Sequence, residues 1–309
     1  MSAPWHASRD WTTRVVRRLL TASQHSETNV SHSTTPSAPL DQVGQENFSV
    51  AARLLPQAFR AHLLAIYVFA RFVDDIGDEA TGNRITLLDK VSRDIDHIYA
   101  GRTPAHGMLS ELSITIQACQ IPREPFDALI AANRQDQFVH RYGSYAELVQ
   151  YCELSANPVG QLVLHVFGQA TPDRIALSDK VCTALQVLEH CQDVVEDFER
   201  GRVYLPAEDL DRFGVTDADL KAPTATTAVR ALLAFQTQRA RKLLDDGVPL
   251  VGRLRGWGRL AVSGYLAGGF ATAKAIADAG YDVLASTPKP SKVDTLGYWL
   301  RLLVPGGAR

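Results

Sequence analysis

The sequence has no surplus of either charge and little cysteine. Its 309 residues include 32 basic and 34 acidic side chains, which give a formal net charge of −2. Because nucleic-acid-binding surfaces need a basic excess, we exclude nucleic acid as a main partner. The four cysteines form no CxxC pair and no metal-ligand spacing. This is typical of reduced thiols that pack in a cytoplasmic protein.

Long hydrophobic runs are also missing. The longest mostly apolar stretch, residues 260–273, is rich in glycine and alanine and shorter than the roughly 18 residues of a membrane span. The arginine-rich segment WTTRVVRRLL is followed by neither an apolar run nor a small-residue cleavage site, so no secretory signal is expected. We predict a cytoplasmic protein whose 46% hydrophobic residues fill a substantial core.

Further absences indicate the fold. No alternating strand pattern, Walker loop or GxGxxG occurs, whereas long proline-free stretches predict an all-α chain. These stretches are residues 57–103, 173–205, 224–248 and 250–287. The Ser, Thr, His and Pro content of residues 1–43 predicts a disordered N-terminal arm. Residues 44–287 are expected to form one helical domain, and residues 288–309 a tail.

Two acidic pairs dominate what is present. Asp74 and Asp78 lie in RFVDDIGDEA, and Asp193 and Asp197 lie in LEHCQDVVEDFERGRVYLP, each at the i, i+4 spacing that shares one helical face. Carboxylates this close repel each other unless a cation joins them, and Mg²⁺ prefers oxygen ligands. Two such faces opposed across a cavity are suited to clamp a diphosphate.

Spacing alone is weak evidence, because Asp278 and Asp282 show it as well. No further acids surround that third pair, and we interpret it as solvated surface. Extra acids crowd the other two pairs: Asp75 and Glu79 lie beside the first, and Glu189 beside the second. Metal binding is therefore predicted only at these two pairs.

The second acidic segment is predicted to form one helix that ends at Gly201. Steps of three and four residues place its polar side chains on one stripe, with a solvated outer face as the alternative. The stripe comprises Gln186, Glu189, Asp193, Glu196 and Asp197. Upstream, Pro158 predicts a helix break, with Asn157 and Gln161 facing a cavity. Gly77 marks either the close approach of a neighbouring element or a helix end.

Four segments together resemble the squalene and phytoene synthase family of head-to-head prenyl-diphosphate enzymes. They are ENFSVAARLLP, YVFARFVDDIGD, YCELSANPVG and LQVLEHCQDVVEDFERGRVYLP, in the family's order and separations across residues 45–285. The resemblance implies an all-α, single-domain isoprenoid-synthase bundle around a central cavity for prenyl chains. It also implies two or three Mg²⁺ ions that bridge the acidic residues to diphosphate.

The resemblance and the residue chemistry together assign a candidate site. The expected metal ligands are Asp74, Asp78, Glu189, Asp193 and Asp197, and the same residues with Tyr67 form the expected catalytic set. The expected substrate-binding residues are Asn47, Phe48, Ser49, Arg71, Asn157, Gln161, Gln186, Arg202, Tyr204 and Tyr265. Among them, Arg71, Arg202 and Tyr204 are candidates to donate hydrogen bonds to the departing diphosphate. A surface ion pair is the alternative role for Arg71.

Two positions depart from the usual family pattern. Glu189 replaces the expected Asn, and Gln192 replaces the expected Arg. With these departures the sequence resembles the family members of the bacterial hopanoid route. Those enzymes convert presqualene diphosphate and water into hydroxysqualene and diphosphate. No NADPH is then expected. A presqualene diphosphate synthase upstream and a hydroxysqualene-processing enzyme downstream are the expected partners. Glu189, helped by His190, is predicted to position or deprotonate the water, with Asn157 as a second candidate.

Two other functions stay open. A condensing enzyme that makes squalene or phytoene from two prenyl diphosphates would need the same metals. A non-catalytic assembly protein with this fold is expected to lose the four aspartates, which this chain retains.

The C-terminal tail has an amphipathic pattern. One face carries Leu296, Trp299, Leu300 and Leu303, and the surrounding cations are Lys289, Lys292, Arg301 and Arg309. This pattern predicts either peripheral contact with the inner face of the membrane or packing against the domain.

Overall fold

The computed structural model describes residues 55–304. Within this range the chain is all-α, as predicted, with a 3₁₀ turn at Gly107–Leu109 and no β-strand. The predicted arm and three candidate site residues, Asn47, Phe48 and Ser49, lie outside the described residues. The helices are α1 (Gln57–Asp78), α2 (Arg84–Tyr99), α3 (Ser110–Cys119), α4 (Glu124–Gln135), α5 (Tyr145–Ser155), α6 (Asn157–Val166), α7 (Pro172–Gln192), α8 (Val194–Glu199), α9 (Ala207–Phe213), α10 (Asp217–Leu220), α11 (Thr227–Gly247), α12 (Pro249–Arg253), α13 (Gly256–Asp278) and α14 (Lys292–Leu303).

Local sequence signals fix where several helices begin. Asn83 Oδ1 accepts a hydrogen bond of 3.0 Å from Thr86 N at the start of α2. The predicted break at Pro158 is present, because α5 ends at Ser155 and α6 begins at Asn157 with the proline in its first turn. A proline there loses no intrahelical hydrogen bond.

The helices bury two apolar clusters that meet at α7. The first lies mainly among α1 to α6 and includes Phe69 and Phe126, whose rings meet edge to face at 5.1 Å. The second lies mainly among the helices from α5 to α13 and includes Leu232 and Leu266. Leu185 of α7 packs against both clusters. Since α7 also contacts α5, α6, α11 and α13, it is the central helix of the bundle.

The C-terminal end of α1 carries the first acidic pair. It is held by Arg84 and lies close to Asn133 of α4. Arg84 donates to the carbonyl oxygens of Gly77 and Asp78 at 2.9 Å and of Ala80 at 3.1 Å, which are groups that a helix end leaves without intrahelical partners. A Cβ atom on Gly77 would lie 2.2 Å from Asn133 Oδ1. Gly77 therefore marks the close approach of α4, the first of its two interpretations.

α13 lies largely inside the bundle. It is long and apolar enough to cross a membrane, but 67% of its most apolar window is buried within the described molecule, as in a core helix. α14 packs on its outer side. There Trp299 Nε1 donates to Ser263 Oγ at 2.9 Å, and the Tyr298 ring stacks on Phe270 with 5.5 Å between centroids. The packing interpretation of the tail is therefore right for one side of α14.

The side chains of the predicted apolar face of α14 point partly towards the protein and partly towards solvent. Trp299 is directed towards α13, whereas Leu296 and Leu300 are 47% and 54% exposed. The reason is rotational: Trp299 lies about 100° around the helix axis from Leu300. The predicted grouping of Trp299 with Leu296 and Leu300 was therefore wrong.

Candidate active site

The second acidic segment is not one continuous helix. α7 ends at Gln192, Asp193 has φ −102° and ψ 18°, and α8 begins at Val194. The prediction of one uninterrupted helix was therefore wrong, whereas its predicted end at Gly201 is confirmed, since α8 stops at Glu199 and Gly201 follows with φ +77°. The hydrogen bonds nevertheless continue across the break, from Asp193 N to Glu189 O at 2.9 Å and from Asp197 N to Asp193 O at 2.8 Å. The break thus changes the direction of the chain while the acids stay in register.

The acids of both segments meet in one polar cleft, with about 470 Å³ of empty space that includes its opening to solvent. Seven predicted site residues line it: Asp78, Gln186, Glu189, Asp193, Asp197, Arg202 and Tyr204. Glu189 and Asp193 are buried. The solvated-face alternative for this stripe is therefore wrong for its cleft-lining members. Glu196 is not among the lining residues.

The two aspartates of the first pair have different surroundings. Asp74 is buried, and its Oδ1 accepts a hydrogen bond of 3.1 Å from Asn133 Nδ2 of α4. Asp78, one turn later, reaches the cleft and accepts a hydrogen bond of 2.8 Å from Arg202 Nη2. Arg202 therefore connects the end of α1 to the loop after α8.

Arg71 does not line this cleft. Its guanidinium pairs with Asp75 at 2.6 Å and lies 3.8 Å from Glu79, on the partly exposed side of α1. Burial raises the pKa of Asp75, and Arg71 opposes that shift, while Glu79 and Asp78 add to it. The ion-pair alternative describes the observed position of Arg71, and its role in substrate binding stays a prediction.

Aromatic rings form one wall of the cleft. The His190 and Tyr204 rings are stacked with centroids 3.8 Å apart and planes 10° apart, and Tyr204 also stacks on Tyr151 at 5.6 Å. Tyr151 donates to Asp136 Oδ2 at 2.9 Å. Burial raises the pKa of Tyr204 well above its ordinary value, so its phenol stays protonated and able to donate a hydrogen bond.

Gln186 and His190 form a pair one turn apart in the cleft. Gln186 Nε2 lies 3.0 Å from His190 Nε2, and His190 Nδ1 lies 3.7 Å from Asp197 Oδ2. Gln186 Oε1 is buried and has no hydrogen-bond partner among the described residues. A buried amide oxygen without a partner is costly, so Gln186 Oε1 is suited to accept a hydrogen bond from a ligand or to bind a cation.

The donor set fits Mg²⁺. Carboxylates and one amide oxygen face the cleft, which are the hard oxygen ligands that Mg²⁺ prefers. Within residues 55–304, no group of three His, Cys, Asp or Glu side chains lies close enough to hold a metal ion by itself. Mg²⁺ usually takes one or two protein carboxylates and completes its shell with water and phosphate oxygens. The residues therefore fit a cation that arrives with a diphosphate, and the predicted ligand set stays a prediction.

An apolar cavity with about 360 Å³ of empty space lies along the same central helix. Tyr265 lines it, as do Ser178, Val181, Cys182 and Leu185 of α7. The next turn of α7 carries Gln186 and Glu189, which line the polar cleft. At about 1.5 Å of rise per residue, Leu185 and Glu189 are separated by roughly 6 Å along the axis. One helix thus passes from an apolar to an acidic lining within a single turn.

The remaining predicted residues lie outside both linings. Asn157 is buried, and its Oδ1 accepts a hydrogen bond of 3.0 Å from Thr183. Gln161 donates to Asp179 Oδ1 at 3.2 Å. Tyr67 is buried in the first apolar cluster. Asn157 and Gln161 are both hydrogen-bonded to side chains of α7, and that they face a cavity stays a prediction. Their roles in substrate binding stay predictions, as does that of Tyr67 in catalysis.

Sequence reasoning missed the contribution of α4. Asn133 and Asp136 line the cleft, together with Arg200 from the second acidic segment. No recognisable motif surrounds Asn133 and Asp136 in the sequence. Their three-residue spacing on one helical face was the available signal.

Comparisons with known proteins agree with this architecture. Residues 42–294 match the model of the squalene/phytoene synthase family. The chain is 34% identical to a phytoene synthase from Arthrospira platensis over 221 residues, or 66% of this chain and 71% of the relative. It is 33% identical to a hydroxysqualene synthase from Sinorhizobium fredii over 215 residues, or 68% and 72%. The crystal structure of squalene synthase HpnC from Alicyclobacillus acidocaldarius superposes with a TM-score of 0.73 and 38% identity, covering 87% of this chain and 94% of that one.

Proposed function

Because the chain belongs to the squalene/phytoene synthase family, we propose that it converts presqualene diphosphate and water into hydroxysqualene and diphosphate. Members of the family process prenyl diphosphates, and relatives of nearly equal identity have different specific activities. The proposal for this chain therefore draws on its own residues. The observation that carries it is Glu189, a buried acid in the polar cleft at the position where the family usually has Asn.

The linings along α7 match the chemistry of a prenyl diphosphate. The anionic head group fits the polar cleft, where Arg202 and Tyr204 supply N–H and O–H donors. For the hydrocarbon chain, the apolar cavity beside Leu185 and Tyr265 offers matching surroundings. The two linings follow each other within one turn of α7, an order that suits an amphiphile with one polar end.

Loss of diphosphate is the first step, and the chain's own groups favour it. The carbon–oxygen bond to diphosphate breaks with both electrons on oxygen, so positive groups near that oxygen lower the barrier. Arg202 lines the cleft and has further N–H groups beyond the one that Asp78 accepts. Of the five expected ligands, Asp78, Glu189, Asp193 and Asp197 line the cleft and would hold Mg²⁺, which when bound neutralises the charge of the leaving group, whereas Asp74 lies behind them against Asn133.

Addition of water ends the reaction. The cyclopropylcarbinyl cation left by ionisation rearranges, a water oxygen forms a bond to carbon, and one water proton departs. Glu189 is the candidate to hold that water and accept the proton, since its carboxylate lies in the cleft beside His190. The stacked rings of His190 and Tyr204 line the same cleft.

A product analysis tests the proposal. Purified protein with Mg²⁺ is incubated with presqualene diphosphate or farnesyl diphosphate, each with and without NADPH. We expect hydroxysqualene from presqualene diphosphate alone, independent of NADPH, with one ¹⁸O atom when the reaction is run in H₂¹⁸O. Consumption of farnesyl diphosphate, or a product without ¹⁸O, contradicts the proposal. A double Asp78→Asn, Asp193→Asn variant is the inactive control.

A condensing enzyme that makes squalene or phytoene is the second candidate, because a phytoene synthase is as similar as the hydroxysqualene synthase. Its substrates would be two prenyl diphosphates, so the farnesyl diphosphate arm, extended with geranylgeranyl diphosphate, separates the two functions. A non-catalytic role is disfavoured by the acids that line the cleft, and it predicts no diphosphate release in any arm.

The chemistry of the substrate also indicates what acts before and after this step. A presqualene diphosphate synthase must supply the substrate, and an enzyme that processes hydroxysqualene must consume the product. We propose a cytoplasmic location, because the substrate head group and the Mg²⁺ ions are water-soluble.

A further inference from the structure

The outer face of α14 is apolar and solvent-exposed. Val293 is 81% exposed, Leu296 47%, Leu300 54% and Val304, just after the helix, 60%. The opposite side is fixed on α13, where Trp299 donates a hydrogen bond to Ser263. The helix is therefore anchored on one side and presents hydrocarbon to its surroundings on the other. Such patches on otherwise polar surfaces mark interaction sites.

The charges around this face have a regular arrangement. With about 100° of rotation per residue, Val293, Leu296, Leu300 and Val304 fall within an arc of about 80°. Lys292 lies at one edge of the arc and Arg301 at the other, and both are exposed. Asp294 lies beyond the arc, where Ser291 Oγ donates to it at 2.7 Å and Lys274 lies 3.6 Å away. An apolar stripe with a cation at each edge is the pattern of a helix that lies in a membrane interface.

We propose that the outer face of α14 docks on an anionic lipid bilayer. Its apolar side chains enter the acyl boundary, and Lys292 and Arg301 contact anionic head groups. A second copy of the chain is the alternative occupant, and the test below separates the two. The proposal is independent of the proposed function, since it concerns a surface outside the catalytic cleft. It supplies a route for water-insoluble substrates and products if that function is right.

Vesicle flotation with the full chain tests this docking. We expect the protein to float with vesicles of phosphatidylcholine and phosphatidylglycerol, and to bind much less to phosphatidylcholine alone. Leu296→Glu combined with Leu300→Glu should abolish flotation. Lys292→Gln and Arg301→Gln should each weaken it about fivefold, the effect expected for one cation at an anionic surface. High salt should weaken binding of the parent chain as well.

Ile114→Glu is the matched control, because Ile114 on α3 is also exposed, at 57%. This variant should float like the parent chain. Circular dichroism melts must first show that each variant is folded, and the two single Gln variants keep the test decisive if the double Glu variant is not. Unchanged flotation of folded Leu296→Glu, Leu300→Glu protein overturns the proposal. The proposal is also overturned if the parent chain does not bind vesicles but forms a concentration-dependent dimer that the two Glu substitutions dissociate.

Discussion

Arg202 Nη2 donates a hydrogen bond of 2.8 Å to Asp78 Oδ1 and so connects the two acidic segments of the cleft. Both side chains are largely buried, at 16% and 20% exposure. A charge pair in such surroundings is screened less by salt than a surface pair. This guanidinium is the cation that the proposed function assigns to the departing diphosphate.

Replacing Arg202 should slow ionisation much more than it changes folding. For Arg202→Gln we expect diphosphate release from presqualene diphosphate to fall about a hundredfold, as is typical when one donor to a developing anion is lost. Single-turnover measurement of diphosphate release checks this. Arg141→Gln is the control, because Arg141 forms an exposed ion pair with Asp217 at 2.6 Å nearby and should keep full activity. Equal rates for both variants contradict the role of Arg202.

Gly77→Ala should destabilise the protein, although alanine is the better helix former. The new Cβ would lie 2.2 Å from Asn133 Oδ1, and overpacking of this kind costs about 1–3 kcal/mol. Urea unfolding measures the loss. Combining it with Asn133→Ala should recover part of the stability by removing the clashing oxygen. Gly107→Ala meets nothing within 4 Å and serves as the neutral control. A Gly77→Ala protein as stable as the parent would show that α4 moves away freely.

Asp179 should make stability depend on pH between about 4 and 6. Burial raises its pKa to about 6 against the hydrogen bond from Gln161, and Glu153 adds to the shift. The folded state therefore binds a proton that the unfolded state releases near pH 4. The contribution of Asp179 to the free energy of unfolding should therefore fall by on the order of 1–3 kcal/mol as pH rises through this window. At higher pH this contribution should stay constant.

Urea unfolding from pH 4 to pH 8 checks the contribution of Asp179. The variant Asp179→Asn should flatten this part of the pH curve and be more stable than the parent chain at pH 7. Asp245→Asn, at an exposed position of α11, should follow the parent curve. If Asp179→Asn shows the parental slope, another group is responsible.

Glu189 should control how the reaction ends. For Glu189→Asn we expect the share of hydroxysqualene among the products to fall about tenfold or more, because the general base for water is gone. Diphosphate release should fall less. Mass analysis of the C₃₀ products checks this, and Glu189→Gln separates the loss of the base from the change in side-chain length. Unchanged rate and product in both variants would exclude Glu189 as the residue that places the water.

The sequence was informative where function depends on spacing within one segment. Asp193 and Asp197, with Glu189, share the cleft as their three- and four-residue steps predicted, because hydrogen bonds continue across the break. The break itself was not predicted. The residue at the break, Asp193, is neither glycine nor proline, so the sequence contains no helix-breaking signal there. The all-α fold followed from the absence of strand patterns and was confirmed.

Contacts between distant segments were harder to predict. Asn133 follows Asp74 by 59 residues in the chain, yet donates to it at 3.1 Å. Nothing in the local pattern of α4 specifies that partner. Arg71 shows a related limit of prediction from spacing. Its position one turn before Asp75 indicated a group near the acidic pair, but the side chain lies on the exposed side of α1. Spacing places residues on a helix, whereas packing decides which side of the helix faces the ligand.

The end of α7 also has a partner outside the cleft. Gln192, at the position where the family usually has Arg, donates to the carbonyl oxygen of Pro288 in the connection between α13 and α14. An arginine there would place a charge beside that carbonyl, whereas the neutral amide makes a short, uncharged link. Glu189 lies one turn before this link, and Ser291, the cap of α14, lies three residues beyond Pro288. The segment that leads to the outermost helix is thus hydrogen-bonded to the last residue of α7, three residues beyond the acid proposed to hold water.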